Sequence, residues 1–253
     1  MDLGLKGKYA VVTGGAGGIG AGIVRVLADE GCNIVIGDLR ADERTEAFAD
    51  EIRALGVDVV VLKVNVGNCE ETEAFYAELD KRNIRPDFLI NNAGGGAPQG
   101  KSMEDVTYEE WYRAMDGCLN SVFFMSRPFV ERCLKDERKG KIVNVSAKAA
   151  FHSTSHDKIA YATSKGGVAT ITSRMANDFI EKGITVNSIV PGYVLSGFYD
   201  ATKDDIEAIG KKKGLRIGWA TPEDMGNIVA FLCSEKSKQI VGVNIDVSGG
   251  TML

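Results

Sequence analysis

The chain has 253 residues, 44% of them hydrophobic, and its 30 basic and 35 acidic side chains leave a formal net charge of −5. That size suits one doubly wound α/β unit, and an acidic balance with no basic field argues against a nucleic-acid partner. Five scattered cysteines, none in a CxxC pair, point to neither a zinc site nor a disulfide framework, so no metal and a reducing, cytoplasmic setting are expected.

The N-terminal segment Met1 to Lys8 has no apolar stretch of the kind a secretory signal needs. No apolar run reaches the ~18 residues of a membrane span, so no membrane association is expected. Strand-like and helix-like segments then alternate along the chain. Tyr9–Thr13 is a short apolar run ending in glycines, followed by an amphipathic helix to about Glu30. Asn33–Gly37 is a second strand, and Asp42–Leu55 a helix rich in Ala, Glu and Arg. Val57–Val64 is a third strand, Glu70–Lys81 a helix, and Asp87–Ile90 a fourth strand leading into the glycine-rich stretch 94–100. One long helix is expected over Tyr108–Leu134, strands over Lys141–Val145 and Thr185–Val190, and a helix over Ile159–Glu181 between them. A short polar helix is expected around Asp204 to Lys211, Pro222 opens a helix where its missing N–H costs nothing, and Val241–Val247 closes the sheet. Continuous Val/Ile runs rather than alternation mean strands covered on both faces. The pattern predicts an α/β fold, a doubly wound parallel sheet of about seven strands with helices on both faces, and a single domain over 1–253.

Gly14-Gly15-Ala16-Gly17-Gly18-Ile19-Gly20 lies between the first strand and the first helix. Glycines there let backbone approach a pyrophosphate closely, at the positive end of a helix. With five glycines the segment fits several related fingerprints at once, and a ligand-free turn is the competing reading. Asp38 ends the second strand, 18 residues beyond Gly20. A carboxylate there accepts from ribose hydroxyls and repels a 2′-phosphate, which favours NAD(H) over NADP(H), although Arg40 nearby argues the other way. An Asp that only caps the next helix is the alternative.

With the glycine turn read as Thr13-Gly14-x-x-x-Gly18-x-Gly20, three further motifs follow in order: Asn91-Asn92-Ala93-Gly94, Tyr161-x-x-x-Lys165 and Pro191-Gly192. With these the chain resembles the short-chain dehydrogenase/reductase family over nearly its whole length. The resemblance implies a Rossmann fold and hydride transfer between NAD(H) and an alcohol or ketone. Tyr161 is then the general acid/base, and Lys165, four residues on and on the same helix face, lowers its pKa and binds the nicotinamide ribose. A free tyrosine ionises only near pH ~10, so such help is needed. The resemblance also implies cofactor contacts at Gly14, Gly18, Ile19, Gly20, Asp38, Asn65, Val66, Asn92, Ala93, Gly94, Pro191, Gly192, Val194 and Ser196, and at Tyr161 and Lys165 themselves. It implies a substrate lid around 196–218 and a homo-oligomer, a dimer or homotetramer.

Two departures stand out. The family's serine after the fifth strand falls on Ala147 in Asn144-Val145-Ser146-Ala147, or on Lys148 when counted back from Tyr161. The family's asparagine on the long helix falls on Cys118, and Asn120 should point off another face. Three readings stay open: another donor (Lys148, or Ser146, Ser153 or Ser155) replaces the serine; the substitutions were introduced; or the protein binds NAD as a regulator or partner subunit. Loss of one carbonyl-polarising donor slows such an enzyme by about 10²–10³-fold without abolishing it. His152 and His156 sit in a Ser/Thr-rich loop without a ligand partner pattern. With Lys148 and Lys158 they hint at an anionic or polyhydroxylated substrate.

Overall fold

The structure is a computed structural model that describes residues 2–95, 101–152, 158–196, 203–212, 214–215 and 217–251. Seven strands, β1 (Tyr9–Thr13), β2 (Asn33–Asp38), β3 (Val59–Lys63), β4 (Phe88–Asn91), β5 (Gly140–Val145), β6 (Ile184–Pro191) and β7 (Asn244–Val247), form one sheet in the order β3-β2-β1-β4-β5-β6-β7. Every pairing is parallel. The doubly wound sheet expected from the sequence is therefore present. The strand order reverses between β1 and β4, and a crevice outside the carboxyl ends of the strands is where such sheets bind ligands.

Among the described residues there are eight α-helices: α1 (Gly18–Asp29), α2 (Glu43–Arg53), α3 (Cys69–Lys81), α4 (Tyr108–Met115), α5 (Ser121–Lys135), α6 (Ile159–Phe179), α7 (Lys203–Lys212) and α8 (Pro222–Cys233). Neighbouring strand residues divide between two apolar clusters. Ala10 and Val12 pack with Ile23, Leu27, Ile52 and Val229 of α1, α2 and α8. Val11 packs with Phe75, Leu79, Phe129 and Met175 of α3, α5 and α6. Burial on both faces is why these strands read as unbroken Val/Ile runs.

Local chemistry sets the helix starts. Asp42 accepts from the N–H groups of Arg44 and Thr45, and Asn68 accepts from those of Glu70 and Glu71. Thr107 and Thr221 form capping boxes with Glu110 and Asp224. The expected single helix over Tyr108–Leu134 is instead broken by a π-turn over Asp116–Asn120. Within it a Cβ at Gly117 would lie 2.7 Å from Gly95 O, so the chain leaving β4 passes close against the π-turn and leaves room there for glycine only.

Candidate active site

The glycine turn, the chain leaving β4, and α6 meet at the carboxyl ends of β1, β4 and β5. Thr13 ties the first two together. Its Oγ1 donates to Ile90 O at 3.3 Å and accepts from the N–H groups of Asn92 and Ala93 at 3.1 and 3.0 Å. Asn92 Nδ2 donates to Thr13 O and Gly14 O at 2.9 and 3.1 Å, so its side chain braces the turn. Gly14 and Gly18 hold φ of +61° and +53°, which L side chains rarely adopt. A Cβ at Gly20 would lie 2.1 Å from Gly14 O. Only glycine fits there.

Helix α1 differs from its neighbours at its start. Its N-cap, Gly17, supplies no side-chain cap, its first turn holds no acidic residue, and the first of its N–H groups to meet a backbone acceptor is Ala21, on Gly17 O at 3.2 Å. The N–H groups of Gly18, Ile19 and Gly20 thus face outward at the positive end of the helix, which fits an anion such as a pyrophosphate. Asp38 lies at the end of β2, half-buried, and its Oδ1 accepts from Arg40 N at 3.2 Å while the Arg40 residue is exposed. Asn65 is exposed after β3; its Oδ1 already accepts from Gly67 N at 3.1 Å, and Val66 is partly buried beside it.

Tyr161 and Lys165 lie one turn apart on α6. Lys165 is 4% exposed, and its Nζ donates to Val145 O at 2.7 Å. Burial pushes its pKa below the usual lysine value, with a smaller opposing effect from the neighbouring Cys118 thiol. A Cβ at Gly94 would lie 3.1 Å from that Nζ and 3.7 Å from Cys118 Sγ, so Gly94 keeps the space beside the ammonium open. An ammonium has three protons, and Val145 O is its one acceptor among the described residues. Two donors therefore await a polar ligand on the Gly94 side, which fits a ribose of the cofactor.

The end of β6 completes the enclosure. Pro191 is buried, and a Cβ at Gly192 would lie 2.7 Å from Ser248 Cβ. Val194 is buried and bridges to Ala220. Ser196 is half-buried with its carbonyl against the glycine turn, 3.3 Å from the Cβ position of Gly18. Residues from β1, β4, α6 and β6 that are far apart in sequence are thus brought to one place.

Of the residues on which the expected serine falls, Ala147 is 7% exposed and Lys148 is half-buried; Cys118, where the asparagine is expected, is fully buried with Sγ 3.8 Å from Gly95 O. Ser146, one candidate replacement donor, is 2% exposed, and its Oγ donates to Lys165 O at 2.9 Å. Its proton therefore locks β5 to α6 instead of facing a substrate. Asn120 Nδ2 donates to Asp116 Oδ1 at 2.7 Å across the π-turn. Lys148 follows Ala147 in a single 3₁₀ turn, Lys148–Ala150, with its Nζ 5.5 Å from the Tyr193 ring centroid. His152 is exposed. Ser153, Ser155 and His156, and the lid segment 197–202, lie outside the described residues.

Several contributors were not singled out from sequence. Val145 supplies a carbonyl, which any residue could, so no side-chain signal marks it. Behind the site Asn91 Nδ2 donates to Asn144 Oδ1 at 2.8 Å and to Ser126 Oγ at 3.0 Å, and Asn144 Nδ2 donates to Thr172 Oγ1 at 2.9 Å. Asn91 at the end of β4 and Asn144 near the end of β5, each after a run of apolar residues, were the available signal.

A family model described as enoyl-(acyl carrier protein) reductase matches residues 14–252. The chain is 33% identical to the 3-oxoacyl-(acyl-carrier-protein) reductase FabG of Staphylococcus aureus over 245 residues, covering 96% of this chain and 97% of the other. It is 30% identical to the acetoacetyl-CoA reductase of Cupriavidus necator over 249 residues, covering 96% and 97%. Among solved structures, a protein from Agrobacterium tumefaciens described as a gluconate dehydrogenase superposes with a TM-score of 0.90 at 30% identity, covering 98% and 97% of the two chains. A second from the same organism, described as a 2-deoxy-D-gluconate 3-dehydrogenase with bound NADP, gives 0.87 at 28% identity and the same coverage.

Proposed function

The chain belongs to the short-chain dehydrogenase/reductase family, and on that premise we propose that it transfers hydride between NAD(H) and a secondary alcohol or ketone, with Tyr161 as general acid/base. The observation that carries this reading is the buried Lys165 ammonium, fixed by Val145 O one helical turn beyond Tyr161. The nicotinamide cofactor supplies the hydride acceptor for oxidation and the donor for reduction. The chain's own residues manage the proton. In oxidation the Tyr161 oxygen takes the carbinol proton, and in reduction its hydroxyl returns it to the nascent alkoxide. Lys165, cationic in a low-dielectric setting, favours the phenolate form, and its remaining protons hold ribose hydroxyls.

The N–H groups of Gly18, Ile19 and Gly20, with Gly14 behind them, receive the pyrophosphate. Asp38 supports NAD(H) over NADP(H), because a half-buried carboxylate at the end of β2 repels a 2′-phosphate. Asn65 and Val66 border the adenine, Asn92, Ala93 and Gly94 the ribose, and Pro191, Gly192, Val194 and Ser196 the carboxamide side. The whole chain, 1–253, acts as one such domain with its lid around 196–218. The exposed Tyr112 and Phe123 on α4 and α5 support a homo-oligomer. Five free thiols support a reducing, cytoplasmic setting, and no described helix is long and apolar enough to cross a membrane.

A specific observation favours a second reading, a nicotinamide-binding protein with impaired or absent catalysis. Ala147 and Cys118 are buried where a hydroxyl and an amide are expected, and the Ser146 proton is committed elsewhere. Titration with NADH and NADPH by fluorescence, followed by an alcohol and ketone panel at the nicotinamide absorbance, separates the two. The oxidoreductase reading expects turnover that falls about 10²–10⁴-fold in Tyr161→Phe while the nucleotide still binds. Binding without turnover, with activity appearing in the Ala147→Ser, Cys118→Asn double variant, supports the second reading.

A further inference from the structure

The end of β5 grips α6 through three successive residues, Asn144, Val145 and Ser146. Side chains alternate along a strand, so Val145 turns its side chain towards α1 and α8 while Asn144 and Ser146 turn theirs towards α6. Asn144 Nδ2 donates to Thr172 Oγ1 at 2.9 Å, seven residues along α6 from Lys165. Val145 offers its carbonyl oxygen to Lys165 Nζ at 2.7 Å. Ser146 Oγ donates to the backbone carbonyl of the same lysine at 2.9 Å. Ser146 is itself fixed: it is buried, and its N–H donates to Ile189 O of β6 at 2.9 Å. The buried Lys165 is thus held at both ends, its ammonium by one residue and its carbonyl by the next.

The three bonds control different things. The Asn144 bond docks α6 away from the Tyr161–Lys165 pair. The Val145 bond fixes where the ammonium ends, but a flexible four-carbon stem can reach one acceptor from a range of backbone positions. The Ser146 bond removes that freedom, because it sets the height and rotation of α6 at Lys165 itself. Tyr161 lies one turn earlier on the same helix, so its place follows from the same bond. A misplacement of about 1 Å in a group that orients reactants can cost ~100-fold in rate.

We propose that Ser146 is a positioning residue of the reaction: through the Lys165 carbonyl it holds the Lys165 ammonium in register with Tyr161 and the nucleotide, and it does not touch substrate. The proposal rests on the oxidoreductase reading above and deepens it. It also takes Ser146 out of the donors that could stand in for the expected serine, since its one proton serves the helix.

The test compares the full-length wild type with Ser146→Ala, Ser146→Thr and Thr172→Val. Ser146→Ala removes the hydroxyl at the lysine, Ser146→Thr keeps it, and Thr172→Val removes a bond between β5 and α6 away from the lysine. Thermal unfolding shows that each variant folds. The first readout needs neither nucleotide nor substrate: exchange of the Lys165 ammonium protons with water, followed by NMR on protein with nitrogen-labelled lysine at mildly acidic pH. The resonance is identified by its absence in Lys165→Met. The second is NADH affinity by fluorescence, and the third is kcat and KM on an alcohol or ketone that the wild type turns over. Ser146→Ala should speed the exchange and weaken NADH by about three- to tenfold, the hold of one neutral hydrogen bond, and should lower kcat with KM little changed. Ser146→Thr should keep the wild-type values, and so should Thr172→Val despite a lower melting temperature. Exchange and affinity unmoved in Ser146→Ala, or moved equally in Thr172→Val, would overturn the proposal and leave Ser146 an ordinary strut. A fall in kcat of about a hundredfold with exchange and affinity unmoved would overturn it too, because that is the mark of a donor to the substrate. Exchange altered as expected in a protein that binds no NADH or turns nothing over would support the anchor at Lys165 and count against the oxidoreductase reading instead, so the two failures are distinguishable.

Discussion

At the scale of single residues, the site is built around a cation placed where water is scarce. Lys165 is buried, its pKa is pushed down by desolvation, and one carbonyl accepts from it. Its folded pKa lies below the unfolded 10.5, so below 10.5 the unfolded chain holds this proton more readily than the folded one. The lysine therefore destabilises the nucleotide-free protein at neutral pH, and the penalty fades as pH climbs from the folded pKa towards 10.5. Replacing a buried ion by an apolar isostere is often neutral or stabilising by up to about 3 kcal/mol, while the bond lost at Val145 O offsets about 1 kcal/mol of that. Lys165→Met should consequently melt no lower than wild type at pH 7 without nucleotide, with the wild type gaining on it by pH 9.5. Thermal unfolding at the two pH values decides it, and a variant melting well below wild type at both would show the lysine to be a structural strut. Tyr161 and Lys165 stood out in the sequence as a pair four residues apart, and the structure sets them one turn apart on α6. The fate of Ser146 was not legible, because whether a hydroxyl faces a substrate or a backbone carbonyl depends on how α6 docks on β5.

At the scale of elements, most boundaries followed from local chemistry, and the departures came from close approaches between segments distant in sequence. Asp42, Asn68, Thr107 and Thr221 mark helix starts that composition already suggested. The π-turn at 116–120 could not be read, and neither could the close pass of Gly95 over Gly117 within it, since both belong to the docking of separate segments. The crossing of α1 and α8 has the same origin. A Cβ at Gly22 would lie 2.3 Å from the Pro222 carbonyl carbon, and one at Gly226 would lie 2.8 Å from Gly22 O. Alanine has the better helix propensity by about 1 kcal/mol, but rigid backbone is the obstacle here and overpacking costs about 1–3 kcal/mol. Gly22→Ala is therefore expected to lower stability. Gly166, inside α6, has nothing within 4 Å of its Cβ position, so Gly166→Ala should gain about 0.5–1 kcal/mol. Denaturant midpoints for the pair check the contrast. Two changes of the same sign would mean that packing, or its absence, is not what separates these glycines.

At the scale of the whole molecule, the seven-stranded doubly wound sheet was legible because both-face burial writes itself into unbroken apolar strands. The polar network behind the site was less so: Asn91, Asn144 and Thr172 are brought together only by the pairing of β4 with β5 and the docking of α6. That network ties β4, β5 and α6 together, and the Thr13–Asn92 clamp holds the glycine turn against the chain leaving β4 before any nucleotide arrives, which makes cofactor binding a matter of filling a formed site. A ligand that binds only the folded state adds its binding free energy to stability, about 2.7 kcal/mol at a hundred times its Kd. For a chain of this size each kcal/mol moves the unfolding midpoint by about 2–4 °C. NADH at that excess should accordingly raise the midpoint by about 5–10 °C. NADPH at the same concentration should raise it less, because Asp38 repels the extra phosphate, and Asp38→Ser should narrow or reverse the order by removing that charge while Arg40 remains. Scanning calorimetry with each nucleotide reads all of this without a substrate. Equal shifts from the two nucleotides would remove the basis for preferring NAD(H), and no shift from either would mean that the uncapped start of α1 does not hold a pyrophosphate.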